Sequence, residues 1–177
     1  MNKWVTFLVS ALAVGVATTS GASETLSDAQ IAAIVVTANQ VDVDAGELAV
    51  TKAEAAPVRK FAELMIADHS GVNKSATELV TKLRVTPQPS ATSDSLKKGG
   101  EENLVALKKL RGGAFDRAYV EHEVIYHQAV LDALDRTLIP NAKNAELKAL
   151  MVKVRPAFVA HLEHAKQLQD SLGKSGG

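Results

Sequence analysis

Apolar residues recur every three or four positions along most of the chain beyond residue 26. This spacing places them on one face of an α-helix. Four long segments follow the pattern, and we predict a helix in each: residues 27–55, 57–84, 114–138 and 144–172. The first begins with a capping-box sequence, in which Ser27 and Gln30 can each satisfy a free backbone N–H group. No segment shows the alternation typical of a strand, so the pattern predicts an all-α protein.

The connections between these helices predict how they are arranged. Short turns join the first helix to the second and the third to the fourth, so each pair is expected to be antiparallel. Residues 86–95 contain two prolines and several hydroxyl residues, which predicts a loop. Spaced leucines predict a short helix over about residues 97–111, although Gly99 and Gly100 weaken it. We therefore predict a ferritin-like four-helix bundle with a short connector helix in one long crossover.

Two further features complete the predicted organisation. Pro156 lies inside the last helix, where a proline is expected to cause a kink. The first 22 residues combine a basic start with 14 apolar residues and a small-residue cleavage pattern. This is typical of a secretory signal, the alternative being a retained N-terminal anchor. We expect residues 23–177 to form one exported domain, without a transmembrane span and periplasmic in a Gram-negative cell.

Composition excludes several classes of function. Lys plus Arg and Asp plus Glu both number 20, and there is no cysteine. A balanced chain has no general attraction for nucleic acid or anionic lipid, so we expect no nucleic-acid partner. Disulfides, thiolate metal sites and cysteine nucleophiles are excluded. The chain also lacks the nucleophile-elbow and phosphate-binding loop motifs.

Histidines and a carboxylate interrupt the apolar stripes of all four long helices. His69, His127 and His161 lie on the second, third and fourth, and Asp42 lies on the first. At 1.5 Å per residue, each is roughly 18–26 Å from the start of a helix of about 40 Å. Side chains at mid-height meet in one layer whichever way the helices run. Three imidazoles and a carboxylate predict a site for one transition-metal ion, such as zinc, iron or copper.

Other polar residues lie near these candidates. Asp68, Asp116 and Glu123 are candidates for further ligands or for acceptors of the outer imidazole N–H groups. Tyr119 precedes Glu123 by four residues and is positioned to donate a hydrogen bond to it. His122 and His164 are predicted to be more peripheral. The alternative is a metal-free polar layer that fixes the register of the bundle, with every group hydrogen-bonded.

The chain resembles the DUF4142 family, exported bacterial proteins of unknown function related to the ferritin-like superfamily. Four segments carry the resemblance: VDVDAGELA (41–49), VRKFAELMIADHSGVN (58–73), GGAFDRAYVEHEVIYHQAV (112–130) and PAFVAHLEHA (156–165). It spans roughly residues 25–170. The residues on the family's motif positions are Asp68, His69, Phe115, Asp116, Tyr119, His127 and His161.

The chain differs from the family at one position and from di-iron bundles at another point. Many family members have Glu at the position of Asp42. Di-iron bundles use Glu-x-x-His on two helices, whereas this chain has Ile66 before His69 and Val124 before His127. We therefore expect a mononuclear, histidine-rich site.

Three functions remain open from the sequence. The first is metal binding in the cell envelope through the mid-bundle layer. The second is a non-enzymatic structural or stress-related envelope protein whose polar layer holds no metal. The third is a binding module that uses residues 86–113 as a partner surface.

Overall fold

The computed structural model of the protein describes residues 25–174, so the predicted leader, residues 1–22, lies outside the described residues. Five helices account for most of this part of the chain, and it contains no strand. They are α1 (Asp28–Lys52), α2 (Ala56–Leu83), α3 (Ala91–Lys108), α4 (Gly112–Ala133) and α5 (Ala145–Lys174). Helices α1, α2, α4 and α5 form the predicted bundle, in which α1 packs mainly on α2 and α4 mainly on α5. Within residues 25–174, no helix is both long and apolar enough to cross a membrane.

Side chains at the helix ends tie the bundle together. The predicted capping box is present, because Ser27 Oγ accepts from the Gln30 N–H at 3.2 Å and Gln30 Oε1 accepts from the Ser27 N–H at 2.9 Å. The Asp28 carboxylate accepts from the N–H groups of Lys143 and Asn144 at 2.8 and 3.0 Å. The first turn of α1 is thus fastened to the turn that precedes α5.

Helix α3 differs from its prediction. It begins at Ala91, runs for 18 residues and continues through both glycines. Ser90 and Ser93 cap its start reciprocally, so part of the segment predicted as a loop is helical. A Cβ on Gly100 would lie 2.8 Å from a methyl carbon of Val41 in α1. The glycine therefore allows α3 to lie close against α1, and this tertiary contact outweighs its low helix propensity.

The end of α4 also differs from its prediction. Pro140 does not stop the helix at Leu138, because a π-helical turn, Leu134–Leu138, leads into a last α-helical turn, Ile139–Asn141. The Asn141 side chain donates to the Thr137 carbonyl at 2.8 Å, which satisfies a helix-end acceptor. Helix α5 continues through Pro156.

The hydrophobic core is divided into two clusters. One contains Ile31, Leu131, Met151 and Phe158, and the other contains Phe61, Met65, Phe115 and Leu168, among others. Every long helix passes from one cluster to the other. The crossing points are at Asp42 in α1, His69 in α2, Glu123 and His127 in α4, and His161 in α5. The fold thus places a buried polar layer between two apolar halves.

Candidate metal centre

The three predicted histidines meet inside the bundle. Their ring centroids are 5.5 Å apart for His69 and His127, 5.3 Å for His69 and His161, and 5.4 Å for His127 and His161. Each residue is at most 3% exposed. One nitrogen from each ring lies within 4.8 Å of the other two. The mid-height residues of α2, α4 and α5 therefore form one compact group.

His69 is oriented by an amide. Its Nδ1 lies 2.8 Å from Asn39 Oδ1. The Asn39 amide nitrogen donates to the Val35 carbonyl at 2.7 Å, which fixes Oδ1 as the atom that faces the imidazole. His69 Nδ1 must therefore carry the proton. Nε2 is left as a buried lone pair without a hydrogen-bond partner.

The other two histidines have the same arrangement with different partners. His127 Nδ1 donates to the Glu123 backbone carbonyl at 3.0 Å, one helical turn earlier. His161 Nε2 donates to Asp68 Oδ2 at 2.8 Å. In consequence His127 Nε2 and His161 Nδ1 are buried without a hydrogen-bond partner. Metal-binding histidines commonly have this arrangement, in which an outer N–H bond fixes the tautomer and the inner nitrogen is free to coordinate.

Two carboxyl groups adjoin the histidines. Asp42 Oδ2 lies 3.2 Å from His69 Nε2 and 3.6 Å from His127 Nε2. Asp42, Glu123 and His127 each offer a ligand atom within 4.8 Å of the others. The side chains of Asp42 and Glu123 are almost completely buried, and the two carboxyl groups interact with each other inside the bundle. Asp42 is therefore placed to be a fourth ligand, and Glu123 lies directly behind it.

Burial keeps the three imidazoles neutral. It lowers the pKa of His69 to about 2 and that of His127 to about 4, with help from the neighbouring histidines. Burial also lowers the pKa of His161, although its hydrogen bond to Asp68 acts in the opposite direction. The imidazoles are therefore neutral near pH 7, which is the form that binds metals.

Burial shifts the pKa values of the two carboxyl groups upward. Burial raises the pKa of Asp42 to about 7, and burial together with the charge of Asp42 raises the pKa of Glu123 well above its usual value. Two carboxyls that would be costly to ionise alone can both ionise beside a divalent cation. The layer therefore contains three neutral nitrogen donors and enough carboxyl groups to neutralise a divalent ion.

Three other residues were predicted near the centre, and the structure places one beside a histidine, one at a distant turn and one in the apolar core. Asp68 lies beside His161 and accepts from its Nε2, which is one of the two roles considered for it. Asp116 lies apart from the centre, since its carboxylate accepts from the N–H groups of Glu54 and Ala55 at 3.1 and 2.8 Å. Its role as an imidazole acceptor is thus replaced by a role at the α1–α2 turn. The Tyr119 hydroxyl is buried without a hydrogen-bond partner, so the predicted bond to Glu123 is not formed.

Two peripheral histidines and two unpredicted residues complete the surroundings. His122 stacks on Tyr126 and His164 packs against Phe61, each half-buried. Sequence reasoning missed Asn39, whose signal was a polar residue three positions before Asp42 on the same helix face. It also missed the stacking of the Phe158 ring on His69, with centroids 5.0 Å apart and an interplanar angle of 14°.

Comparison with known proteins places the chain in a family. The sequence profile of a domain of unknown function, DUF4142, matches residues 14–168. The chain belongs to the DUF4142 family. No curated protein matches the sequence. Among solved structures, this DUF4142 chain is similar in fold to "CopM in the Cu(II)-bound form", with a TM-score of 0.66 and 19% identity. The match covers 83% of the DUF4142 chain and 98% of the CopM chain, and identity at this level shows the fold alone.

Proposed function

We propose that this DUF4142 protein binds one transition-metal ion between His69, His127, His161 and Asp42. The observation that carries the proposal is the set of three buried, unpartnered imidazole nitrogens within 4.8 Å of one another. A buried polar atom without a partner is costly, typically by about 1–3 kcal/mol. Three such atoms in one place are best explained by a cation that they share.

The donor set favours copper(II), with zinc as its main competitor. Neutral imidazoles suit zinc, copper and iron, and copper(II) is the tightest-binding divalent ion of the first row. The carboxyl oxygen favours copper(II) over copper(I), which prefers sulfur ligands. The likeness in fold to CopM, whose structure is described as Cu(II)-bound, supports the same choice.

The proposed place of action is the cell envelope. The leader-like sequence of residues 1–22 supports export to the periplasm or beyond. An exported metal-binding protein meets metal ions outside the cytoplasm, and we propose metal handling there as its role.

The competing function is a structural or stress-related envelope protein with a metal-free polar layer. One observation favours it: the outer nitrogen of every central histidine already has a protein acceptor. The inner nitrogens decide between the two functions, because a structural layer requires a partner for each of them. A protonated Asp42 can donate to only one nitrogen, such as His69 Nε2 at 3.2 Å, and His161 Nδ1 still has no hydrogen-bond partner.

The test is metal content measured by mass spectrometry on mature protein purified without a tag, followed by titration with Cu(II) and Zn(II). We expect about one ion per chain in the wild type, since the four ligands define one centre. The His69→Ala, His127→Ala double variant is expected to lose the ion while staying helical. The matched control is His164→Ala, which removes a half-buried imidazole outside the centre and should keep the ion. A wild type that takes up no metal would make the layer structural.

A further inference from the structure

A surface groove borders one side of the proposed metal centre. A groove of about 420 Å³ runs between α2 and α5, and its lining includes Asp68, Gly71, Lys153, Phe158 and His161. His161 is itself one of the proposed ligands, and Asp68 is its hydrogen-bond partner. The groove therefore ends at one of the proposed ligand residues.

The outer partners of the three histidines differ in exposure. The Asp68 side chain is 43% exposed, whereas Asn39 is 3% exposed and Glu123 is fully buried. The hydrogen bond between His161 and Asp68 is thus the outer bond that solvent can reach and replace. His69 and His127 are held from inside the core.

Two other grooves lie near the centre without reaching a ligand. The α3–α4 groove, of about 570 Å³, is lined by Gly99, His122 and Tyr126 among others. The Tyr126 ring lies edge-on to His127, and its hydroxyl donates to the Ala38 carbonyl at 2.9 Å, so it stands between this groove and the ligand. The α1–α3 groove, of about 290 Å³, is lined by none of the three histidines.

We propose that the metal ion exchanges with solvent through the α2–α5 groove, past the Asp68–His161 pair. This inference rests on the proposed function and extends it, because it makes the ion an exchangeable cargo and not a permanently enclosed cofactor. The carboxylate of Asp68 attracts the hydrated cation to the groove. When solvent replaces the bond between Asp68 and His161, the imidazole is released to move aside.

Matched glycine variants test the route. A Cβ on Gly71 in the α2–α5 groove, or on Gly99 in the α3–α4 groove, would meet nothing within 4 Å. Gly71→Phe and Gly99→Phe thus fill one groove each with the same side chain. The measurement is stopped-flow uptake of Cu(II) and of Zn(II), removal of each by EDTA, and the equilibrium affinity. Gly71→Ala serves as the small-residue control and should exchange like the wild type.

We expect Gly71→Phe to slow both uptake and removal by roughly tenfold at unchanged affinity, within the range over which variants alter association rates. Gly99→Phe should exchange at the wild-type rates. Wild-type rates in Gly71→Phe, or slowing confined to Gly99→Phe, would overturn the proposed route. A wild type that binds neither ion would refute the metal-binding function itself, which is a different outcome.

The charges in the groove give an independent test. Asp68→Asn keeps an oxygen to accept from His161 but removes the negative charge. Lys153→Gln removes the positive charge on the same groove. We expect uptake to slow several-fold and to lose salt dependence in Asp68→Asn, and to quicken in Lys153→Gln, as for charges at the rim of a binding site. If Asp68→Asn weakens binding while its salt dependence stays at the wild-type value, Asp68 only positions His161 and does not attract the ion.

Discussion

Replacing Asp42 by asparagine should change how the stability of the metal-free protein depends on pH. Asp42 is fully enclosed, and burial raises the pKa of its carboxyl from an ordinary value of 3.8 to about 7. A group whose pKa is raised on folding stabilises the native state below its unfolded pKa. That contribution is lost as the pH rises toward the folded pKa, because the unfolded chain releases the proton first. Asparagine has nearly the same shape and carries no such proton.

The magnitude follows from the width of the pH interval. Between pH 5 and pH 8 the native Asp42 retains its proton over about two pH units in which the unfolded chain has lost it. At about 1.4 kcal/mol per unit, the wild type loses about 3 kcal/mol of unfolding free energy that Asp42→Asn does not lose. Because the charge of Asp42 also raises the pKa of Glu123, the difference between the two proteins reports the titration of this carboxyl pair.

The assay is urea unfolding followed by circular dichroism, in the presence of a chelator, at pH 5 and pH 8. The stability of Asp42→Asn relative to wild type should rise by about 3 kcal/mol between these conditions. The matched control is Asp44→Asn, which makes the same chemical change at a partly exposed position that is hydrogen-bonded to Gln40. Parallel profiles for wild type and Asp42→Asn would show that Asp42 is already ionised in the folded protein at pH 5, and would refute its raised pKa.

Three further substitutions test other parts of the structure. Asn39→Leu removes the acceptor of His69 Nδ1–H. We expect metal affinity in a Cu(II) titration to fall by roughly 10–100-fold. Unchanged affinity would show that Asn39 does not orient the ring. Gly100→Ala places a carbon 2.8 Å from a methyl group of Val41 in α1 and should destabilise the protein by about 1–3 kcal/mol in urea unfolding. The control Gly99→Ala meets nothing and should be neutral or stabilising. Asp116→Ala removes the acceptor of two N–H groups in the part-buried α1–α2 turn and should destabilise the protein by about 1–3 kcal/mol in all, with metal stoichiometry unchanged. Loss of metal from the folded variant would return Asp116 to the centre.

The positions of the three central histidines could be predicted because helix geometry is regular. A fixed rise per residue makes the distance of His69, His127 and His161 from their helix starts calculable from the sequence. Straight antiparallel helices then bring the three residues to the same level. The division of the core into two apolar clusters on either side of this layer agrees with that reasoning.

Asp116 lies outside the centre because of its level along α4, although its helix face is the expected one. It shares a face of α4 with Glu123, but seven residues separate them, which is about 10 Å along the helix. Two side chains on one face need not lie at one level, and Asp116 reaches the α1–α2 turn instead.

Other features depend on contacts between helices that no single segment contains. Gly99 and Gly100 predict a weak helix when α3 is considered alone. In the folded protein, the packing of Gly100 on Val41 stabilises the helix at this point. Asn39 precedes Asp42 by three residues, yet its role depends on the approach of His69 from α2. The exposure of Asp68 depends on the groove between α2 and α5, which the spacing along either helix does not predict.

The most direct test of the metal centre is anomalous diffraction from crystals of the mature protein grown with Cu(II). We predict one strong peak between His69 Nε2, His127 Nε2 and His161 Nδ1, at about 2.0–2.1 Å from each nitrogen as in known imidazole sites. Asp42 should supply an oxygen on the remaining side. A peak confined to a peripheral residue such as His122 or His164, or no peak in the polar layer, would contradict the account.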